Sequence, residues 1–301
     1  MQERVRTLVF ALSLGCSACS DSCGCARSAA TSSAATPAPT PAPSLGARIA
    51  LALDKVTHYL EQQKLRGDQA WLIAKAAAAL GKDRAAWAAK LPLDPSVVEA
   101  AKRDPKQDLS AIEGAMAHLG RLPSQPLPPL AAPKVEPKTG LSRRFETADG
   151  EHVIELMRSA IVCDANVDDA AWDPRLLSLG QGYLLTHQLL SVTLAYERGC
   201  VSRERALHWR QLLAAPLLAE VLGRKDPLDD LAIERLAVLC YAGLCDWIPR
   251  ADIEALLAQQ GPTGTWGSHG PENMSNIDWE AHTAALGFYT LAELSVRAGA
   301  Q

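Results

Sequence analysis

The sequence predicts an all-α protein built from repeated helical hairpins, and three observations lead to this fold class. Alanine and leucine, which favour helices, dominate the chain, whereas runs of β-branched residues are almost absent. Apolar residues recur every three or four positions from Gly46 onward, without the two-residue alternation of half-buried strands. Residues 184–196 also align with residues 279–292 through His187 and His282, as expected of hairpins that stack or close into a ring.

The helical segments divide the body of the chain into two blocks. Residues 121–140 separate the blocks with six prolines and little to pack. The body therefore consists of an N-terminal helical segment, 46–120, a Pro-rich linker or surface strap, 121–140, and a C-terminal helical segment, 141–301. We expect helices over residues 47–65, 68–80, 84–90, 95–103, 108–119, 150–162, 178–198, 203–222, 229–244, 250–260 and 279–297.

Composition and charge limit the function classes. Of the 301 residues, 48% are hydrophobic and 21% are charged, which is ordinary for a globular chain with a sizeable core. The formal net charge is −4 and the sequence contains no basic stripe. We therefore expect no nucleic-acid partner.

The N-terminus has the layout of a lipoprotein-type signal peptide, residues 1–16. Arg4 and Arg6 precede the apolar run Thr7–Gly15, which is too short to span a bilayer as a helix. The run leads into the sequence SLGC, which resembles a bacterial lipobox and predicts a lipid on Cys16. Cys19 is the alternative lipidation site, and an ordinary secretory signal is the alternative interpretation.

Residues 17–45 are predicted to be a Cys-rich start followed by a tether. Alternating Ala, Pro, Ser and Thr residues cannot bury apolar surface and favour an extended, solvated chain. Ser17 follows the lipidation site, as in lipoproteins sorted to the outer membrane. We expect an exported protein that is anchored to the membrane by its lipid and faces the periplasm or the cell surface.

Four cysteines lie in the body, at positions 163, 200, 240 and 245. An oxidising compartment permits disulfides between them, and small buried thiols are the alternative. Cys240 and Cys245 can pair with each other only if the helix ends between them.

One segment resembles a known family motif. Leu256, Gln260, Gly264 and Trp266 fit the Leu-x₃-Gln-x₃-Gly-x-Trp pattern of the QW repeat in squalene–hopene and related terpenoid cyclases. The resemblance implies that the Gln caps the turn after an outer helix and that the Trp stacks against this turn. Residues 279–292 likewise resemble the inner helices of the α/α toroid that terpenoid cyclases share with protein prenyltransferase β subunits. The likeness covers mainly residues 178–297 and implies the toroid fold rather than either activity.

The aligned His187 and His282 form the first candidate site. Inner helices of a toroid run parallel, so both imidazoles are expected on one rim of the central cavity, and Lys75 occupies a similar place in a fainter third copy of the repeat. With Asp278 one turn before His282 and Glu280 nearby, they could hold a divalent metal ion. The alternative is that both are satisfied core residues, because no local metal motif accompanies them.

The acidic segment 163–174 is the second candidate site. Asp164, Asn166 and Asp168 have the spacing of the first ligands in a calcium-binding loop. The stretch through Asp168 and Asp169 also resembles the Asp-x-Asp-Asp motif of class II terpenoid cyclases, which would make Asp168 a proton donor. A solvated loop whose acids cap the next helix is the favoured interpretation.

These features give two hypotheses for function. The first is a binding protein whose ligand or partner contacts the central cavity or its rim, with Asp164, Trp266, Asp278 and Glu280 as candidate contacts. The second is a metal-dependent or acid-catalysed enzyme. Its candidate catalytic residues are Asp168, Asp169, His187 and His282, and its candidate metal ligands are His187, His282 and Asp278.

Overall fold

Helices account for the regular structure throughout the described part of the chain. The computed structural model describes residues 42–108, 111–122, 126–139, 147–163, 181–225, 227–267 and 279–299. Within these ranges there are eleven α-helices and no strand, which confirms the all-α fold class. No helix in these ranges is both long and apolar enough to cross a membrane. The helices are α1 (Leu45–Leu60), α2 (Gly67–Leu80), α3 (Lys82–Ala88), α4 (Pro95–Ala100), α5 (Ile112–Leu119), α6 (Thr147–Val162), α7 (Tyr183–Glu197), α8 (Arg203–Leu222), α9 (Asp230–Tyr241), α10 (Arg250–Gln259) and α11 (Trp279–Gly299), with a short 3₁₀ helix, Cys245–Trp247, before α10.

Polar side chains fix several helix starts. The side chain of Ser44 accepts a hydrogen bond from the backbone at the start of α1, and Ser202 and Asp229 cap α8 and α9 in the same way. Each cap satisfies a backbone N–H group that has no partner within its own helix. The observed starts of these helices therefore lie close to the predicted ones.

The first predicted helix is too long at its C-terminal end. The observed helix, α1, ends at Leu60, and the chain then forms an isolated bridge between Leu65 and Leu93. The N–H group of Leu65 donates to the carbonyl of Pro92 over 2.9 Å, and its carbonyl accepts from Asp94 N over 2.8 Å. This pairing joins distant parts of the chain, so helical periodicity alone does not reveal it.

Contacts link six helices in a closed series. Helix α2 packs against α11, α11 against α9, α9 against α7, α7 against α6, α6 against α5, and α5 against α2. Other helices pack on members of this series: α1 on α11, α3 on α2, α4 on α5, and α8 on both α7 and α9. Helix α10 contacts α1. Trp71, Leu189, Ile233 and Phe288, from four helices of the series, are almost fully buried in the core.

An extended strap, residues 126–139, runs along α8. Arg210 Nη1 donates to the carbonyl of Pro128 over 2.9 Å, and Lys138 N donates to the carbonyl of Ala219 over 2.8 Å. Two leucines of the strap pack against the hydrophobic core. These residues of the Pro-rich segment are therefore docked on the body.

Two disulfides join the four body cysteines. Cys163, directly after α6, bonds to Cys200 in the turn between α7 and α8. Cys240 bonds to Cys245, and α9 ends between them at Tyr241. The condition that the sequence sets for the second pair, a helix end between the two cysteines, is met.

Two side chains of the Leu256–Trp266 segment hold the turn after α10 in place. Gln260 Nε2 donates to the carbonyl of Gly264 over 3.1 Å, and also to the carbonyl of Ala52 in α1 over 2.9 Å. Trp266 Nε1 donates to the carbonyl of Leu256 over 2.7 Å. The Gln side chain therefore ties the turn to a neighbouring helix, and the Trp ties it back to α10.

The Trp266 ring also packs against α11. A Cβ atom added to Gly287 would lie 2.2 Å from Trp266 Cζ3, so the ring occupies the space that any other side chain would need. Trp266 is only 8% exposed. The structure thus places this candidate ligand contact inside the packing between the turn and α11.

Candidate binding site at the helix starts

Four helices of the closed series begin close together. Asp68, Tyr183, Asp230 and His282 lie in the first turns of α2, α7, α9 and α11, respectively. Hydrogen bonds and ion pairs among these residues join the four helix starts, and we call their cluster, with His187 and Glu234, the helix-start site. His187 and His282, which the repeat aligned, both belong to it.

The opposite halves of the same helices also meet. Lys75 Nζ lies 2.9 Å from Glu197 Oε2, and the Tyr241 hydroxyl donates to the same carboxylate over 2.6 Å. The rings of Tyr241 and Tyr289 lie 6.2 Å apart. Since starts meet starts and later turns meet later turns, the four helices run in the same direction. Lys75 therefore lies away from the two histidines with which the faint third repeat aligned it.

His282 lies between two carboxylates. Its Nδ1 is 2.7 Å from Asp230 Oδ1, and its Nε2 is 3.5 Å from Asp68 Oδ2. Burial alone would lower the pKa of His282, but the nearby carboxylates, Asp230 foremost, outweigh burial and raise the pKa to about 10. The side chain is therefore an imidazolium at neutral pH.

His187 has a similar environment. Its Nδ1 lies 2.8 Å from the carbonyl of Tyr183 and 3.2 Å from Glu234 Oε1. Burial opposes the charged form, but the Glu234 carboxylate outweighs it and raises the pKa of His187, while the charge of His282 acts to lower it. The two imidazoles are thus close enough to influence each other.

Asp230 is the central acceptor of the site. Its fully buried carboxylate accepts from the Thr283 hydroxyl over 2.8 Å and from the Tyr183 hydroxyl over 3.0 Å, in addition to His282. Burial, followed by the charge of Asp230, raises the pKa of Tyr183, so this hydroxyl keeps its proton and donates. Three donors stabilise the buried charge of Asp230.

Sequence reasoning missed Asp68, Tyr183, Asp230 and Glu234. Asp230 and Glu234 are one helical turn apart, directly after a predicted helix start, and this spacing was the available signal. An acid at a helix start is ordinarily a cap, however. The identity of the helix that faces it decides its role, and the local sequence does not contain this information.

The described residues contain no group of three or more His, Cys, Asp or Glu side chains that could hold a metal ion. His282 also faces a carboxylate with each ring nitrogen. A protonated imidazole has no lone pair left to coordinate a metal. Asp278, the third candidate ligand, lies outside the described residues.

The remaining candidates divide into two groups. Glu280 accepts from the Thr265 hydroxyl over 2.9 Å, which ties the start of α11 to the turn that holds Trp266. The ring of Trp279 stands edge-on to His282, with 5.6 Å between ring centres. The lipidation sites Cys16 and Cys19 and the acidic candidates Asp164, Asn166, Asp168 and Asp169 lie outside the described residues.

Acidic groups outnumber basic groups around these helix starts. The Glu113 carboxylate accepts from Gly67 N over 2.7 Å, and the Glu220 carboxylate accepts from Gly182 N over 3.1 Å, so acids also cap α2 and α7. Among the described residues, seven carboxylates and four basic groups lie at these helix starts or contact them. The carboxylates belong to Asp68, Glu113, Glu220, Asp229, Asp230, Glu234 and Glu280, and the basic groups to Arg66, Arg235, His187 and His282.

No family model, curated protein or solved structure matches the chain.

Proposed function

We propose that this chain is an exported, lipid-anchored α/α-toroid protein that binds a ligand with a cationic group at the helix-start site. The observation that carries the proposal is the convergence of three carboxylates and two imidazoles from four helices at one end of the fold. Polar side chains that converge from several elements are typical of binding sites.

Two features support the toroid part of the proposal. The closed series of helix contacts is what a ring of inner helices requires. The common direction of α2, α7, α9 and α11 is what the inner helices of a toroid have, since outer helices return the chain between them. The hydrogen bond from Gln260 to Gly264 is the cap on the turn that the QW resemblance implies.

The charge balance supports a cationic ligand. Asp68, Asp230 and Glu234 form no ion pair with a Lys or Arg side chain in the described ranges, and their charge exceeds that of two protonated imidazoles by one. The Asp68 side chain is 32% exposed, and its buried Oδ1 has no hydrogen-bond partner in the described ranges, so the carboxylate keeps an acceptor position that the fold does not use. A ligand ammonium group would compensate the excess negative charge.

The same geometry favours binding over acid–base catalysis by His282. A catalytic acid or base works best when its pKa lies near the working pH. With a pKa of about 10, His282 holds its proton at neutral pH and serves to position Asp230 and Asp68. The two disulfides support export, because such bonds persist in oxidising compartments.

Thermal unfolding in the presence of small ligands tests the proposal. We expect at least one of ethanolamine, putrescine and spermidine to raise the Tm, whereas glycerol and citrate do not, because only a ligand that binds the folded state stabilises it. Asp68→Asn should abolish the shift. The matched control is Asp54→Asn, an exposed acid paired with Arg84 at 3.1 Å, which should retain it. Equal shifts in both variants, or no shift by any of the three amines, would contradict the proposed site.

A further inference from the structure

Arg210 is a buried cation without an acidic partner among the described residues. Its side chain is fully buried in α8, where Nη1 donates to the carbonyl of Pro128 in the strap and Nη2 donates to the carbonyl of Ala242. Within the described part of the chain, its Nε has no hydrogen-bond partner. Burial lowers the pKa of Arg210 to about 10, which reflects the cost of keeping a cation away from water. Two main-chain carbonyls thus hold the guanidinium in place.

The carbonyl of Ala242 is itself held rigidly. It lies between Cys240 and Cys245, which are bonded to each other, and next to Gly243, which has a positive φ of 75°. A Cβ atom on Gly243 would lie 3.4 Å from Arg210 Nη2, so the loop approaches the guanidinium closely. Arg210 therefore joins the strap to a fixed loop at the end of α9.

The strap has a second attachment near the end of α8. Lys138 N donates to the carbonyl of Ala219, and a Cβ atom on Gly223 would lie 1.9 Å from the carbonyl oxygen of Lys138. Any side chain at position 223 would push the strap away. Ala219, which accepts the hydrogen bond of this second attachment, directly precedes Glu220 in the sequence.

Glu220 connects this part of α8 to the helix-start site. Its carboxylate, 1% exposed, accepts from Gly182 N over 3.1 Å and from Arg235 Nε over 2.9 Å. Gly182 precedes Tyr183, whose hydroxyl donates to Asp230, and Arg235 follows Glu234, which contacts His187. A displacement of Glu220 would therefore move the starts of both α7 and α9.

We infer that the strap is a latched element that opens separately from the helices and that its docking sets the position of the start of α7 within the helix-start site. Arg210 is the latch, and Glu220 is the positioning residue that transmits the docking. Opening returns the guanidinium to water, which offsets part of the lost contacts, so opening requires less free energy than global unfolding. The inference rests on the contacts of the site and holds whichever ligand the site binds.

Amide hydrogen exchange of the whole chain, purified in detergent, tests the inference. In the wild type, the amides of Lys138 and Gly182 should exchange through one shared opening. Both should exchange faster than the core amides of α9. Arg210→Met removes both hydrogen bonds of the latch and should speed exchange at Lys138 and Gly182 about tenfold. Exchange of the core amides of α9 should stay unchanged. Glu220→Gln should speed exchange at Gly182 but not at Lys138.

Controls separate the latch from a general loss of stability. Arg205→Met removes another arginine of α8, which lies over the Trp209 ring at 5.7 Å, and should leave both amides unchanged. Arg210→Lys keeps the charge but cannot donate to both carbonyls in the same geometry, so it replaces the Met variant if that variant does not fold. The inference is overturned if Lys138 exchanges only with global unfolding, or if exchange at Lys138 accelerates while exchange at Gly182 does not.

Discussion

His282 Nδ1 lies 2.7 Å from Asp230 Oδ1, and this contact joins the start of α11 to the start of α9. Both partners are largely removed from water, since the side chain of His282 is 16% exposed and that of Asp230 is fully buried. Removing either one would leave the other as a buried charge with fewer partners, and this makes the pair a sensitive point of the fold.

The stability of the protein should depend on pH through His282. Its pKa is about 10 in the folded chain, above its ordinary value of 6.5, so the contact stabilises the fold fully below pH 6.5. This stabilisation is lost as the pH rises through 10. We expect the difference in unfolding free energy between the wild type and His282→Asn to shrink over this window. Denaturant unfolding of both proteins at several pH values measures this difference in unfolding free energy. A difference that stays constant with pH would show that His282 is not charged.

Asp230→Asn should destabilise the fold by about 3–5 kcal/mol, because it leaves the imidazolium of His282 buried without its main partner. The matched control is Asp246→Asn, an exposed acid that contacts Arg297 at 3.0 Å, for which we expect a change of about 0–1 kcal/mol. Chemical denaturation of both variants gives the two values. Similar losses in the two variants would rule out a special role for Asp230.

Trp266→Ala should destabilise the fold by about 3–5 kcal/mol, because it empties a buried space between the turn after α10 and α11. Gly287→Ala should also destabilise, since its new methyl group collides with the ring, and the double variant should cost less than the sum of the two. Gly46→Ala, in a helix with open space around the position, is the control and should be neutral or stabilising. Melting temperatures provide the comparison, and strict additivity of Trp266→Ala and Gly287→Ala would argue against the contact.

The two disulfides should contribute unequally. Cys163 and Cys200 are 37 residues apart, whereas Cys240 and Cys245 are 5 apart. Loop-closure entropy predicts about 4 kcal/mol for the longer loop and about 2 kcal/mol for the shorter one. Unfolding of the paired Cys→Ala variants measures both, and a larger loss from the Cys240/Cys245 pair would show that local packing outweighs chain entropy.

Cys16→Ser should release the protein from the membrane fraction or stall its maturation, because the short apolar run before Cys16 cannot anchor the chain by itself. Fractionation with antibody detection, and inhibition of lipoprotein signal peptidase by globomycin, measure this. Cys19→Ser is the matched control and should remain anchored. Continued membrane association of the Cys16 variant, without a lipid on Cys19, would refute the lipoprotein prediction.

Local periodicity of apolar residues was enough to predict most of the helices. The features that it did not predict depend on contacts between distant parts of the chain. Helices such as Arg203–Leu222 follow directly from apolar spacing and a serine cap. The early end of α1 does not, because Leu65 pairs with a backbone about thirty residues away. The repeat correctly suggested that His187 and His282 lie at one site. The roles of Asp230 and Glu234 depend on the helices that pack against α9, and the local sequence does not identify these helices.

The common direction of four helices has an electrostatic consequence. Each helix start carries roughly half a positive charge from its aligned peptide dipoles, and here four such ends meet. The carboxylates of Glu113, Glu220 and Asp229, which accept from backbone N–H groups at three of these starts, offset this positive charge, so it does not cancel the negative charge of the helix-start site. At the opposite end, where the negative ends of the dipoles gather, Lys75 pairs with Glu197 and Arg297 lies in the last turn of α11. Among the described residues, the last turns of α2, α7 and α9 contain no basic residue, so Lys75 beside Glu197 and Arg297 at the end of α11 offset the negative charge at this end.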